Sequence, residues 1–88
     1  MTLVQSTKLM SKIQKERNSV LLELLTNKAV RNGYSWKWLN KRKGIPSLRN
    51  EITSSLFRAD LVRELSQEMI LSEWGRVIVK KLQEEENT

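Results

Sequence analysis

Residues 30–50 read VRNGYSWKWLNKRKGIPSLRN, and this stretch decides how the middle of the chain folds. On a β-strand its alternating aromatic residues would share one face, whereas on an α-helix Trp36 and Trp38 would point about 200° apart. We favour a short helix, because Ser35 and Gly44 bracket it as caps and no partner strand is evident. The three aromatic residues are Tyr34, Trp36 and Trp38.

The rest of the chain also predicts helices. Apolar residues recur at three- and four-residue spacing, and the 88 residues include only one proline and three glycines. The first helix, either continuous or divided at Asn18-Ser19, would end at Asn32-Gly33. The expected spans are from Thr2 or Leu3 to Asn32, from Trp36 to Lys43, from Leu48 to Ile70, and from Glu73, capped by Ser72, to about Gln83.

These spans predict an all-α fold, a small bundle of four or five helices. Residues 1–83 would form one helical domain, and the acidic residues 84–88 a short disordered tail. Because the apolar stripes are narrow, they would also suit a helical homodimer.

The central segment has the layout of a helix-turn-helix motif, with Gly44 in the turn. Asn40 departs from the motif, since a small residue usually lets the two helices cross there. If the motif holds, the second helix would present its first turn to the major groove of duplex DNA. The residues presented would be Ser47, Arg49, Asn50 and Thr53.

The chain contains no cysteine and no histidine. This excludes disulfides, thiolate metal sites, a cysteine nucleophile and a histidine base. We therefore expect neither catalysis nor a cofactor or metal. The absence of cysteine fits the cytoplasm, and no stretch approaches the length of a membrane-spanning helix.

Charge is concentrated in the middle of the chain. The net charge is +6, yet no acidic residue occurs between Glu23 and Glu51. We name residues 24–50 the basic island; it carries seven cations, and a concentration of this kind is typical of a surface that binds polyanions. Its cations are Lys28, Arg31, Lys37, Lys41, Arg42, Lys43 and Arg49.

We therefore expect a small nucleic-acid-binding protein, with duplex DNA as the favoured partner over RNA. A regulatory role in transcription or an accessory role in replication would suit its size. One tryptophan would enter the core beside Leu39 and the other would lie near the basic surface. The alternative is that at least two of the three aromatic residues simply pack. The candidate binding residues are Lys28, Arg31, Trp36, Lys37, Lys41, Arg42, Lys43, Ser47, Arg49 and Asn50.

Two other classes of function remain open. In the first, the protein is a helical adaptor or inhibitor that docks the basic island on an acidic surface of a protein partner, with tryptophan and arginine as anchors. In the second, it is a basic amphipathic helix lying on a membrane surface. The basic island lacks a broad apolar face, so the membrane ranks last.

Overall fold

A computed structural model describes residues 11–86 of the chain, so the expected helix start near Thr2 and the last two residues of the tail lie outside the described residues. The described part contains both helices and strands, and the prediction of an all-α bundle is therefore wrong. The fold is α+β. In chain order its elements are α1 (Lys12–Glu23), β1 (Ala29–Asn32), β2 (Ser35–Trp38), α2 (Asn50–Arg58), β3 (Val62–Leu65), β4 (Glu68–Leu71) and α3 (Glu73–Glu86).

The four strands form one antiparallel sheet in the order β2-β1-β4-β3. Two hairpins, β1–β2 and β3–β4, meet through β1 and β4 in the middle. In this register Ala29 lies opposite Trp38 on one side and Met69 on the other. The strands β2 and β3 are therefore the two edges of the sheet.

The first hairpin replaces the expected helix ending at Asn32-Gly33 and the expected helix from Trp36 to Lys43. Asn32 pairs with Ser35, which leaves Gly33 and Tyr34 as a two-residue turn. Gly33 has φ of +67°, a conformation that glycine adopts without steric cost. Residues 39–49 form an irregular connection, so the first helix of a helix-turn-helix does not exist and that prediction is wrong.

The second hairpin interrupts the helix that was expected from Leu48 to Ile70. α2 ends at Arg58, and the next turn is closed by two backbone bonds, from Leu61 N–H to Leu56 O (3.0 Å) and from Asp60 N–H to Phe57 O (3.1 Å). Asp60 adopts φ of +58° there, and this pair of bonds with a left-handed residue is a Schellman termination. The chain then enters β3 instead of continuing as a helix.

The core lies between one face of the sheet and the three helices of the described chain. The side chains of Ala29, Trp36, Trp38, Val62 and Met69 share the inner face of the sheet by strand alternation, and all are buried. They meet apolar residues of all three helices: Val20 and Leu21 of α1, Ile52 and Leu56 of α2, and Val79 of α3. Lys37 lies on the opposite face of the sheet, because it alternates with Trp36 and Trp38 along β2.

The last helix begins where the sequence predicts it. The Ser72 hydroxyl accepts a hydrogen bond from Gly75 N–H at 2.9 Å and itself donates to Asp60 O at 2.6 Å, so the cap also ties α3 to the end of α2. α3 continues through Glu86 and thus includes residues 84–86, which the sequence assigned to the tail. No helix within residues 11–86 is long and apolar enough to cross a lipid bilayer.

Candidate nucleic-acid interface

The lysines of the basic island project from the β1–β2 hairpin and the connection that follows it. Lys28 precedes β1, Lys37 lies on β2, and Lys41 and Lys43 lie on the connection. All four are exposed. None has a carboxylate within ion-pair distance among the residues that the structure describes. These four positive charges therefore remain available to a ligand.

The three arginines of the island behave differently, because each is paired with a glutamate. Arg31 lies 3.0 Å from Glu64 of β3, and Arg49 lies 2.9 Å from Glu16 of α1. Arg42 pairs with Glu23. The described structure thus divides the island into paired arginines and unpaired lysines.

The connection after β2 is held against the end of α1 by Asn27. This buried side chain donates from Nδ2 to Asn40 O (2.7 Å) and to Glu23 Oε2 (3.0 Å), and its Oδ1 accepts from the backbone N–H groups of Lys28 and Asn40. The indole of Trp38 adds a second attachment by donating to Pro46 O at 2.7 Å. Lys41 and Lys43 therefore lie between two fixed points of the connection.

Both tryptophans of the island pack in the core, at 7% exposure for Trp36 and 5% for Trp38. Trp36 contacts the Phe57 ring, with centroids 5.7 Å apart, and the Arg31 guanidinium, which lies 4.7 Å from the Trp36 ring centroid. The expectation that one tryptophan lies at the surface is wrong; both pack. Tyr34, in the hairpin turn, is 97% exposed. It is the exposed aromatic ring of the island.

Two open grooves flank Trp36 along β2. The first, which we name the lysine groove, has a volume of about 480 Å³ and is lined by Trp36, Trp38 and the connection, including Lys37, Lys41, Arg42 and Arg49. The second, the tyrosine groove, has a volume of about 530 Å³ and is lined by Trp36, Tyr34, Arg31, Asn50 and Arg58, among others. Because both grooves include Trp36, they form neighbouring parts of one surface.

The backbone of β2 is open along this surface. Leu39 N–H donates to Lys28 O at 2.7 Å, which makes Lys28 and Leu39 a hydrogen-bonded pair. By antiparallel alternation, the peptide groups of Trp36 and Trp38 then point away from β1. No strand of the described chain pairs with that side of β2. The edge therefore offers N–H donors and C=O acceptors beside the grooves.

Eight of the ten binding residues predicted from the sequence line the two grooves. Lys28 lies instead in a different hollow with Leu24, Leu25 and Leu39, and Lys43 is exposed on the connection. Tyr34 and Arg58 line the tyrosine groove but were not among the residues predicted from the sequence. Gly33 was the signal for Tyr34, since glycine is typical of the first position of a two-residue hairpin turn, and the residue after it then lies at the tip. The eight residues are Trp36, Lys37, Arg42, Lys41, Ser47 and Arg49 in the lysine groove, and Arg31 and Asn50 in the tyrosine groove.

Chemically, this surface is suited to binding anions by charge and hydrogen bonding. Within residues 11–86 no group of three or more acidic side chains is placed to hold a metal ion.

The fold and surface define a class: a small two-layer α+β domain with a basic, open sheet edge. The chain matches no protein-family model, no curated protein and no solved structure.

Proposed function

We propose that this protein binds nucleic acid through the phosphate backbone, with the unpaired lysines of the basic island as the main contacts. The observation that carries the proposal is the group of four exposed lysines without carboxylate partners among the described residues. Lysine ammonium groups that neutralise phosphates release condensed counterions, which drives association. DNA is the first expected partner, and a regulatory or replication-accessory role in the cytoplasm would fit.

The burial of the tryptophans supports nucleic acid over an acidic protein partner. A protein interface takes most of its affinity from a few buried aromatic or arginine anchors. Here Trp36 and Trp38 are core residues, and the island's arginines are already paired. The groups that remain for a ligand are the ammonium groups of the exposed lysines. Such groups are suited to the many weak, salt-sensitive contacts by which nucleic acid is bound.

The binding mode differs from the one that the sequence suggested. Arg49 precedes α2 and pairs with Glu16 and Glu51, so its guanidinium is engaged by carboxylates and is not free for the major-groove contact that the sequence suggested. Asn50 is the first residue of α2 and lines the tyrosine groove. We therefore assign Arg49 a structural role and leave phosphate binding to the four unpaired lysines of the island.

A matched pair of double variants tests this proposal. Lys41→Ala/Lys43→Ala removes two island charges, and Lys80→Ala/Lys81→Ala removes two exposed charges from α3. Affinity for labelled DNA and RNA would be measured by fluorescence anisotropy between about 50 and 200 mM salt. We expect the island variant to bind more weakly and to lose about two from the slope of log affinity against log salt concentration.

The α3 variant has the same net charge as the island variant, so it should bind as the unmodified protein does. Circular dichroism would establish that both variants are folded. Equal losses in the two variants would mean that net charge, not the island, attracts the polymer. Absence of binding by the unmodified protein in about 50 mM salt would refute the proposal.

A further inference from the structure

We propose that the ligand of this surface is single-stranded nucleic acid, which lies along the open edge of β2 from the lysine groove to the exposed ring of Tyr34. This inference rests on the proposed function and specifies its ligand. It follows from three features of the surface that a single strand can use and a duplex cannot use together.

The first feature is that the two grooves adjoin at Trp36. The lysine groove and the tyrosine groove are both lined by Trp36, so they lie next to each other along β2, where we infer that an extended chain would run. Cations flank this path at both ends, with Lys37 and Lys41 in the lysine groove and Arg58 in the tyrosine groove. A single strand carries one phosphate per nucleotide and can follow such a path, as in other basic channels for single strands.

The second feature is Tyr34. Its ring is 97% exposed at the tip of a two-residue turn, where no core contact explains an aromatic residue. Stacking on an exposed aromatic ring is the common way in which proteins hold unpaired bases, because every base has a flat face. In a duplex those faces are already stacked on each other, so Tyr34 would have no base to receive.

The third feature is the unpaired backbone on the outer side of β2. The peptide groups of Trp36 and Trp38 point outward, and no strand within residues 11–86 covers them. Unpaired bases expose donors and acceptors on their Watson–Crick edges, which can bond such groups. In a duplex the same base edges are occupied by the complementary strand.

The test compares one labelled oligonucleotide of about 15 nucleotides, alone and annealed to its complement, by anisotropy in about 50 mM salt. The proteins are the unmodified chain, Tyr34→Ala and Tyr34→Phe. We expect the single strand to bind at least about tenfold more tightly than the duplex. Tyr34→Ala should weaken single-strand binding by about fivefold or more and leave duplex binding unchanged, whereas Tyr34→Phe should retain it.

Two results would overturn this inference while the proposed function stands: duplex binding as tight as single-strand binding, or equal single-strand affinity in Tyr34→Ala and the unmodified protein. Failure to bind either polymer would instead refute the proposed function. A labelled polyglutamate peptide is a third probe. Binding of this peptide as tightly as the single strand would overturn the inference in favour of an acidic protein ligand.

Discussion

At the scale of single residues, the partners of the arginines decide what the basic island offers. Glu23 at the end of α1 is 7% exposed, and it accepts bonds from both Arg42 and Asn27. A buried carboxylate requires such partners, since an unpaired charge in the core is costly. Arg42 therefore pairs with a buried carboxylate, whereas within residues 11–86 its neighbours Lys41 and Lys43 in the same run of three cations do not.

At Gly75 we expect a substitution by alanine to destabilise the protein, which is unusual for a glycine in a helix. In most helices Gly→Ala stabilises by up to about 1 kcal/mol. At position 75 an added Cβ would overlap the backbone carbonyl oxygen of Leu61, which is fixed because it accepts a hydrogen bond from Ser72 N–H. We expect Gly75→Ala to lower the free energy of unfolding by about 1–3 kcal/mol, measured by urea denaturation.

The control for Gly75 is Gln83→Ala, an exposed substitution in the same helix, which should change stability by less than about 0.5 kcal/mol. An increase in stability for Gly75→Ala would contradict the close approach of α3 to Leu61.

At the scale of elements, the two hairpins differ in how well their turns suit their sequences. The first turn has Gly33 at φ +67°. The second turn has Ser66 at φ +52° and Gln67 at φ +64°, and both residues carry side chains that disfavour this region. Two consecutive residues with positive φ define a type I′ turn, the connection that matches the twist of a hairpin.

We predict that Gln67→Gly stabilises the protein by about 1 kcal/mol, because glycine removes the steric cost of the left-handed conformation. The bond from Arg31 N–H to Gln67 O (2.9 Å) uses only the backbone of residue 67 and would be retained. Thermal and urea unfolding would measure the change. Gly33→Ala makes the reverse change in the first turn, and we expect it to destabilise the protein by about 1–2 kcal/mol. A loss of stability in Gln67→Gly would contradict the β3–β4 turn.

The strands were missed because each has only four residues. Val62, Leu65 and Met69 fall at helical spacing, whereas Val62 and Leu65 lie on opposite faces of β3, and Glu64 and Glu68 are good helix formers. In β2, the alternation of Trp36, Lys37 and Trp38 is compatible with a strand. Its partner β1 was not recognised, because residues 29–32 were assigned to the end of the first predicted helix. Strand pairing is stabilised by contacts across the sheet, and these do not appear in a local window.

At the scale of the whole molecule, one core joins the sheet to the three helices of residues 11–86. Trp36 and Trp38 contribute to that core from the edge strand, whereas Trp74 on α3 is 51% exposed. Small domains with one shared core usually unfold in a single cooperative step. The edge strand that carries the candidate site should therefore unfold together with the helices.

We predict that, in a Trp74→Phe background, tryptophan fluorescence and far-UV circular dichroism give the same urea midpoint. The fluorescence then reports Trp36 and Trp38 alone, and its emission should shift to longer wavelength on unfolding as the rings meet water. A fluorescence transition at lower urea than the circular dichroism transition would contradict a shared core. It would mean that β2 detaches while the helices persist.

The sequence by itself determined the features that depend on local chemistry. The acid-free island is one, because charges are read directly from residue types, and the start of α3 at the Ser72 cap is another, because capping acts over three residues. Only the tertiary structure decided that residues 29–38 and 62–71 form hairpins and that the island's arginines are neutralised while its lysines are not. The reason is physical: Arg31 and Arg49 pair with glutamates 33 residues away and Arg42 with one 19 residues away, contacts that exist only once sheet and helices have packed.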